Sequence, residues 1–599
     1  MRSPARVLNS LTKHSQTTEY RFERLYRILF NEEMYYLAYQ RIYAKPGNMT
    51  QGADGETIGR MSLSRIEKLI ASLKNESYSP QPSRRVYIPK KNGKTRPLGV
   101  PSFDDKLVQE VVRMVLEAIY EGHFEDTSHG FRPHRSCHTA LNAVHKNFNG
   151  KKWFIEGDIK GFFDNVNHDI LIDILKERIS DERFIRLIRK FLKAGYLEQW
   201  RFHGTYSGMP QGGIISPILA NIYLDKLDKY MKEYASKFDK GDRGRQRREY
   251  EVLTYQKRLV MRELKTATND AERKVLVKRL KEIDKTRSAM PCFDPMDGNF
   301  KRLKYVRYAD DFLIGIIVSK VKIKDDIKRF LADRLALELS DEKTLITHAE
   351  KPAKFLGYEV TVRRSNLQKR NKRGSLSRVY GNKVRLKVTT EVIKKKLLEL
   401  GVLKFSYHNG HEQWIPKHRS ELINNDDLEI LDSYNAEIRG FYNYYSIANN
   451  ASELNTFHYI MQYSMYKTFA GKYRTTVRRI CRKYKRNGVF TVGYTVKNGK
   501  AKERRLYNEG FKRKRPSYDR SIDRCPNPMP GVSTTSLIDR LKAQKCELCG
   551  ATDNLVMHHV RKLGELKGKE NWEKLMIARR RKTMAVCGSC HQKIHHGTF

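Results

Sequence analysis

Tyr305-Val306-Arg307-Tyr308-Ala309-Asp310-Asp311-Phe312-Leu313-Ile314-Gly315-Ile316 sets two carboxylates side by side between aromatic and β-branched flanks. Such flanks predict two half-buried strands, with the acidic pair where the chain turns between them. Adjacent ionised carboxylates on an apolar scaffold repel each other and lose hydration, a cost of several kcal/mol unless cations neutralise them. Magnesium, a hard ion that takes carboxylate oxygens and substrate phosphates, is the matching cation. Taken alone, the dipeptide reads better as a solvated hairpin tip. Its company reverses that reading.

A second acidic strand lies well upstream: Trp153-Phe154-Ile155-Glu156-Gly157-Asp158-Ile159-Lys160-Gly161-Phe162-Phe163-Asp164. Asp158 again follows an apolar run, and Gly157 and Gly161 allow close backbone approach. Three carboxylates from neighbouring strand ends suit a pair of metal ions about 3.5–4 Å apart, which supports in-line phosphoryl displacement. One ion would acidify a primer 3′-hydroxyl, and the other would hold a triphosphate and stabilise the leaving pyrophosphate. Tyr-Ala-Asp-Asp after an Asp-Ile-Lys-Gly-Phe-Phe-Asp strand closely resembles the palm of reverse transcriptases. The resemblance implies Asp158, Asp310 and Asp311 as catalytic Mg²⁺ ligands.

Other segments fit in order. Residues 84–98 read as a basic hairpin turning at Asn92-Gly93. It looks like the family's fingers hairpin, so Lys90, Lys91 and Arg96 are candidates to neutralise an incoming nucleoside triphosphate. Asp104 and Asp105 are expected to cap a core helix carrying Leu107, Val108, Val111, Val112, Val115, Leu116 and Ile119. Gly130-Phe131-Arg132-Pro133 resembles an element near the template strand, which makes Arg132 a candidate nucleic-acid contact. Gly208-Met209-Pro210-Gln211-Gly212-Gly213 is a tight loop before an apolar helix start. It matches the family's Pro-Gln-Gly motif, in which Gln211 would border the nascent base pair. Phe163 stands at the steric-gate position, where a ring crowds a ribose 2′-hydroxyl; Phe162 suits the core. Residues 337–344 and 355–358 complete the palm motifs, the first positioning primer or template and the second packing beside the primer end.

With 599 residues the chain should hold several domains. Its 117 Lys+Arg against 68 Asp+Glu give a formal charge of +49, far beyond what solubility needs. That excess implies a polyanion partner bound with steep salt dependence. The 33 tyrosines and 25 phenylalanines supply stacking surfaces for unpaired bases. With no long apolar stretch and no signal-peptide core before the charged start, a membrane role is disfavoured. A bacterial, cytoplasmic protein is expected, associated with the nucleoid when on target DNA.

Of eight cysteines, Cys137, Cys292, Cys481 and Cys525 are scattered and read as reduced singletons. Cys546-x-x-Cys549 and Cys587-x-x-Cys590 form a metal-knuckle pattern. Four thiolates predict a structural, tetrahedral Zn²⁺ with no open position. Val556-Met557-His558-His559-Val560 ends a predicted strand. His591 and His595, one helical turn apart, face one side of a helix. Paired histidines on a strand opposite such a helix resemble the ββα-metal fold of HNH endonucleases. By that resemblance His559 is the general base, and His558, His591 and His595 hold one Mg²⁺ or similar ion. The family's middle Asn has only Asn571 as a nearby candidate.

Residues 239–289 read as a charge-dense helical insertion, an RNA-facing scaffold. From about 385 to 480 the chain reads helical, and Arg439-Gly440-Phe441-Tyr442-Asn443-Tyr444-Tyr445 resembles the thumb element called domain X in intron maturases. Lys497, Lys500, Lys502, Arg504, Arg505, Lys512, Arg513 and Lys514 crowd a basic segment ending in a proline-marked loop. It resembles the DNA-binding segment of group II intron-encoded proteins, with Arg439, Arg504, Arg505, Lys512, Arg513 and Lys514 as nucleic-acid candidates.

The order of parts identifies the chain, from roughly Thr18 onward, as similar to mobile group II intron-encoded proteins. The expected architecture is α+β and multidomain: right-hand-like fingers and palm over 1–380, thumb (domain X) over 381–481, DNA-binding segment over 482–540, and a small ββα-metal HNH module with a four-cysteine zinc site over 541–599. The resemblance implies a maturase that binds its intron RNA and promotes splicing. It further implies a nuclease that nicks double-stranded target DNA and a polymerase that uses dNTPs to copy intron RNA from the nicked 3′ end. A homodimer is left open. Two alternatives remain: a domesticated splicing factor without mobility, and a reverse transcriptase of another retroelement or defence class. Loss of the three aspartates would favour the first, and loss of domain X and the terminal module the second.

Overall fold

Alternation along the palm strands decides the architecture. Strands Arg302–Tyr308, Asp311–Ile317, Trp153–Asp158 and Leu345–His348 form one antiparallel sheet in that order. The computed structural model describes residues 3–43, 47, 49–89, 95–199, 201–294, 297–317, 321–365, 367–370, 374, 376–378, 381–495, 501–517, 537–561, 563–579 and 581–597. Successive side chains of the palm strands point to opposite faces, and each face belongs to a different core. Ile155, Tyr305, Phe312, Ile314 and Ile316 join the core that contains helices Phe103–Tyr120 and Ser216–Phe238. Phe154, Val306 and Leu313 join a second core with helix Cys137–Asn147 and the thumb. The sheet is thus a wall covered on both sides, not half-buried as its sequence suggested. The Phe103–Tyr120 helix is capped by the Ser102 hydroxyl, which accepts from the Asp105 N–H. Asp105 itself is buried and accepts from Tyr78 Oη at 2.5 Å.

The fingers hairpin pairs Ser83–Pro89 with Thr95–Val100 in the expected antiparallel sense, and Pro89 faces Thr95 across it. Lys90 and Lys91 lie outside the described residues. The insertion is a helical hairpin, Arg248–Thr266 against Asp270–Ala289, with a small core of Val260, Ala267, Leu276 and Ile283. No described helix is long and apolar enough to cross a membrane.

The thumb differs from its helical expectation. Gly381–Lys387 is a strand paired with Tyr358–Arg364, and Leu403–His408 with His411–Pro416 forms a hairpin before helices Asp427–Tyr445 and Leu454–Lys472. Helix Thr390–Glu399 lies between them. The basic segment is not a separate unit up to residue 517. Phe490 and Val492 of strand Val489–Thr495, and Leu506, Tyr507 and Phe511 beyond the exposed strand Ala501–Arg505, are buried in the thumb's core.

The C-terminal module is a hairpin, Leu555–His559 with Thr583–Cys587, followed by helix Gly588–His596. It has its own small core, yet Ile538, Leu541, Met557 and Ala585 pack into the fingers core.

Candidate polymerase and nuclease sites

Pairing brings the acidic strands together. Asp158 sits directly opposite Asp311, and Asp311 pairs with Tyr308 across a two-residue turn formed by Ala309 and Asp310. Ala309 adopts φ 55°, a left-handed conformation uncommon without glycine. Gly157 is required beside the pair, since a Cβ there would fall 2.0 Å from the Phe312 ring. Beneath the turn, fully buried Arg307 donates to the Ala309 carbonyl at 2.8 Å, to Ser128 Oγ at 2.7 Å and to Asp228 at 2.5 and 2.8 Å. One guanidinium therefore ties the turn to the Ser216–Phe238 helix.

Desolvation of the cleft floor, then repulsion from Asp310 and Asp158, pushes Asp311 up to about 7. Burial also raises Asp310, offset by its backbone hydrogen bond, while Arg96 from the fingers and Lys343 pull it down. Lys343 donates to Asp158 Oδ2 at 2.7 Å, and that hydrogen bond raises the Lys343 pKa. Carboxylates this reluctant to ionise together favour a divalent cation, and their oxygen donors suit magnesium.

Phe162 is buried and Phe163 half-buried. Phe163 lines a cavity of about 340 Å³ with Arg85, Tyr196, Tyr206, Pro210 and Gln211. The Gln211 carbonyl accepts from the Gly99 N–H at 2.7 Å, so the Pro-Gln-Gly loop is laced to the fingers hairpin. Arg96 stands exposed on that hairpin, opposite Ile88.

Arg132 corrects a sequence expectation. It is 4% exposed, and its guanidinium donates to Glu121 Oε1 at 3.0 Å and to the carbonyls of Glu125 and Ser128 at 2.7 and 2.9 Å. With its donors spent on its own loop, it is not available to a template strand. The thumb candidates divide. Arg439, Arg505, Lys512, Arg513 and Lys514 are exposed, whereas Arg504 is half-buried and paired with Asp432 at 3.2 Å. Arg513 also braces the fold, donating from Nε to the Ile447 carbonyl at 3.0 Å.

In the C-terminal module the sulfurs of Cys546, Cys549, Cys587 and Cys590 lie within 4.8 Å of one another, as do ring nitrogens of His558, His591 and His595. Four thiols fit zinc. Buried His558 has no hydrogen-bond partner at either ring nitrogen, which suits a metal ligand. His559 points the other way, as the next residue on a strand must. It is 7% exposed against the fingers, with Nδ1 bonded to the Met557 carbonyl at 3.0 Å and Nε2 to Tyr39 Oη at 3.1 Å. Asn571 begins helix Asn571–Arg579.

Arg307, Lys343 and Tyr39 escaped the sequence reading. Arg307 carried a weak signal, a cation between Val306 and Tyr308 in a strand that also holds Arg302 and Lys304. Tyr39 carried none, because its partner is 520 residues away.

Comparison with known proteins places the chain in a family. Residues 88–255 match the reverse transcriptase (RNA-dependent DNA polymerase) family, 382–515 the type II intron maturase family, and 546–591 the AI2M/AI1M-like HNH endonuclease family. The group II intron-encoded protein LtrA of Lactococcus lactis subsp. cremoris is 44% identical, covering 100% of both chains. The putative COX1/OXI3 intron 1 protein of Saccharomyces cerevisiae is 35% identical over 96% of this chain and 69% of its own. Protein YkfC of Escherichia coli is 34% identical over 58% of this chain and 84% of its own. The chain belongs to the group II intron-encoded proteins, uniting an RNA-directed DNA polymerase, a non-catalytic maturase and an HNH DNA endonuclease in one polypeptide.

Proposed function

We propose that this protein carries its intron into new DNA sites by target-primed reverse transcription. It grips its intron RNA, promotes splicing and stays with the excised lariat. The RNA inserts into one DNA strand, the HNH module nicks the other, and the palm extends that 3′ end with dNTPs. The protein works in the bacterial cytoplasm, and on the nucleoid when engaged with target DNA. Splicing itself is RNA chemistry, so no side chain is assigned to it.

The observation that carries the reading is the pairing of Asp158 with Asp311 beside Asp310 on a sheet wall clamped from both faces. Asp158, Asp310 and Asp311 would hold Mg²⁺, which supplies a lowered pKa at the primer hydroxyl and neutralises triphosphate charge. Arg96 adds positive charge from the fingers, Phe163 walls the sugar 2′ position, and Gln211 borders the base pair. Lys343 holds Asp158 in position through its hydrogen bond. Domain X acts as the thumb on product duplex, and the exposed Arg439, Arg505, Lys512, Arg513 and Lys514 contact nucleic acid. In the C-terminal module Cys546, Cys549, Cys587 and Cys590 would hold structural zinc, and His558, His591 and His595 would hold the nuclease ion. His559 would take the proton of the attacking water.

Replacing both Asp310 and Asp311 by Ala should abolish primer extension on a long RNA template while intron splicing continues in parallel. Splicing needs binding surfaces and not the carboxylates. Extension that survives in the double variant would overturn the assignment.

A further inference from the structure

His559, the proposed nuclease base, is buried, and what encloses it is the polymerase. The Met557 carbonyl can only accept, so His559 Nδ1 carries the ring proton; Nε2 of the neutral ring then accepts from the Tyr39 hydroxyl. Both nitrogens are spent, and Nε2, the one free to take a proton, is occupied by Tyr39 Oη. Tyr43 packs its ring 5.7 Å from the same imidazole, and Tyr39 is fully buried behind it. Both tyrosines belong to the fingers helix Glu32–Tyr43.

The contact is built as an interface. The Met557 N–H donates to the Met61 carbonyl at 2.9 Å and the Arg60 N–H donates to the Met557 carbonyl at 3.2 Å, so the histidine strand adds itself to a fingers segment. Ile538, Leu541, Met557 and Ala585 of the module share one apolar core with Tyr36, Tyr39 and Met61. At the rim, Lys542 bonds Glu33 at 3.0 Å and lies over the Tyr36 ring at 4.6 Å. The metal-side histidines remain open to solvent through His595, which is exposed. The module therefore keeps its metal side accessible while its base is shut.

We propose that docking on the fingers helix holds the endonuclease off, and that nicking requires the module to leave this surface. This rests on His559 being the base. Duplex DNA is the fitting release partner, because its phosphates compete with Glu33 for Lys542 and with the fingers for the basic module. The device keeps a strongly cationic protein from nicking the DNA it meets non-specifically, and it ties the nuclease to a state of the polymerase domain.

If the closed form dominates, nicking by the free protein is proportional to the open fraction, and weakening the contact multiplies it directly. Glu33→Lys opposes Lys542 with a like charge and leaves the module untouched. Tyr43→Ala removes an aromatic contact at the half-buried end of the helix. Relaxation of supercoiled plasmid by the full-length chain with Mg²⁺ should rise about three- to tenfold in each variant. Lys542→Glu in the Glu33→Lys background should return it toward wild type. Amide exchange at 555–561 should quicken in the two single variants, and primer extension should be unchanged as the folding control. His559→Ala should stop nicking altogether. Equal or lower nicking by the docking variants, with His559→Ala inactive, overturns the gating while leaving the base in place. Normal nicking by His559→Ala removes the base assignment and the gate with it.

Discussion

Removing the Arg307 guanidinium is the sharpest test of how the palm holds its carboxylates. Asp228 is fully buried and accepts two bonds from Arg307 plus one from Tyr305 Oη at 2.9 Å. In Arg307→Met that carboxylate keeps only the phenol, and stranding one partner of a buried pair costs about 3–5 kcal/mol. Even the lower figure reduces the folded ratio on the order of a hundredfold. Arg307→Met with Asp228→Leu removes both charges and should recover most of the stability, since apolar replacement of a buried pair is often neutral. DNA synthesis should not recover, because the Ala309 carbonyl has still lost its donor and the turn presenting Asp310 its brace. Urea unfolding followed by palm-core tyrosine fluorescence, read beside primer extension, separates the two effects. Synthesis that returns together with stability would show that the brace is dispensable. A single-variant loss below about 1 kcal/mol would show that the pair is not dry.

Phe163→Ala should admit ribonucleotides in a competition assay, because it opens the wall of the cavity beside Gln211; unchanged discrimination would make Phe163 a packing residue. With Asp311 raised to about 7, proton and metal compete for the same carboxylate. Half-saturating Mg²⁺ should therefore be level at alkaline pH and rise about tenfold on going from pH 8 to pH 6. A flat magnesium requirement across that window would remove the raised carboxylate from the site. Cys549→Ala or Cys587→Ala should lose zinc and unfold the C-terminal module, whereas His559→Ala should keep its zinc while losing nicking; equal zinc loss in all three would make His559 a structural ligand.

Short-range chemistry was legible in the chain alone. Each acidic strand, the fingers hairpin, the double Cys-x-x-Cys and the His591–His595 helical pair rest on neighbours a few residues apart, where period and turn preference operate. Net charge and the order of motifs carried the functional class. What the sequence could not carry was any polar residue's fate once distant elements met. Arg132 and Arg513 read alike as surface cations. Folding buried the first among its own loop's carbonyls and left the second at the thumb surface. The basic segment read as a separate DNA-binding stretch because its apolar residues are thinly spread, yet Phe490, Val492, Leu506, Tyr507 and Phe511 bury in the core of the preceding helices. Asp158 facing Asp311 is a matter of register between strands far apart in sequence, and His559 facing Tyr39 joins the two ends of the chain. Such pairings depend on which surfaces are left to bury when whole elements pack, and burial is set by the assembled shape rather than by local preference.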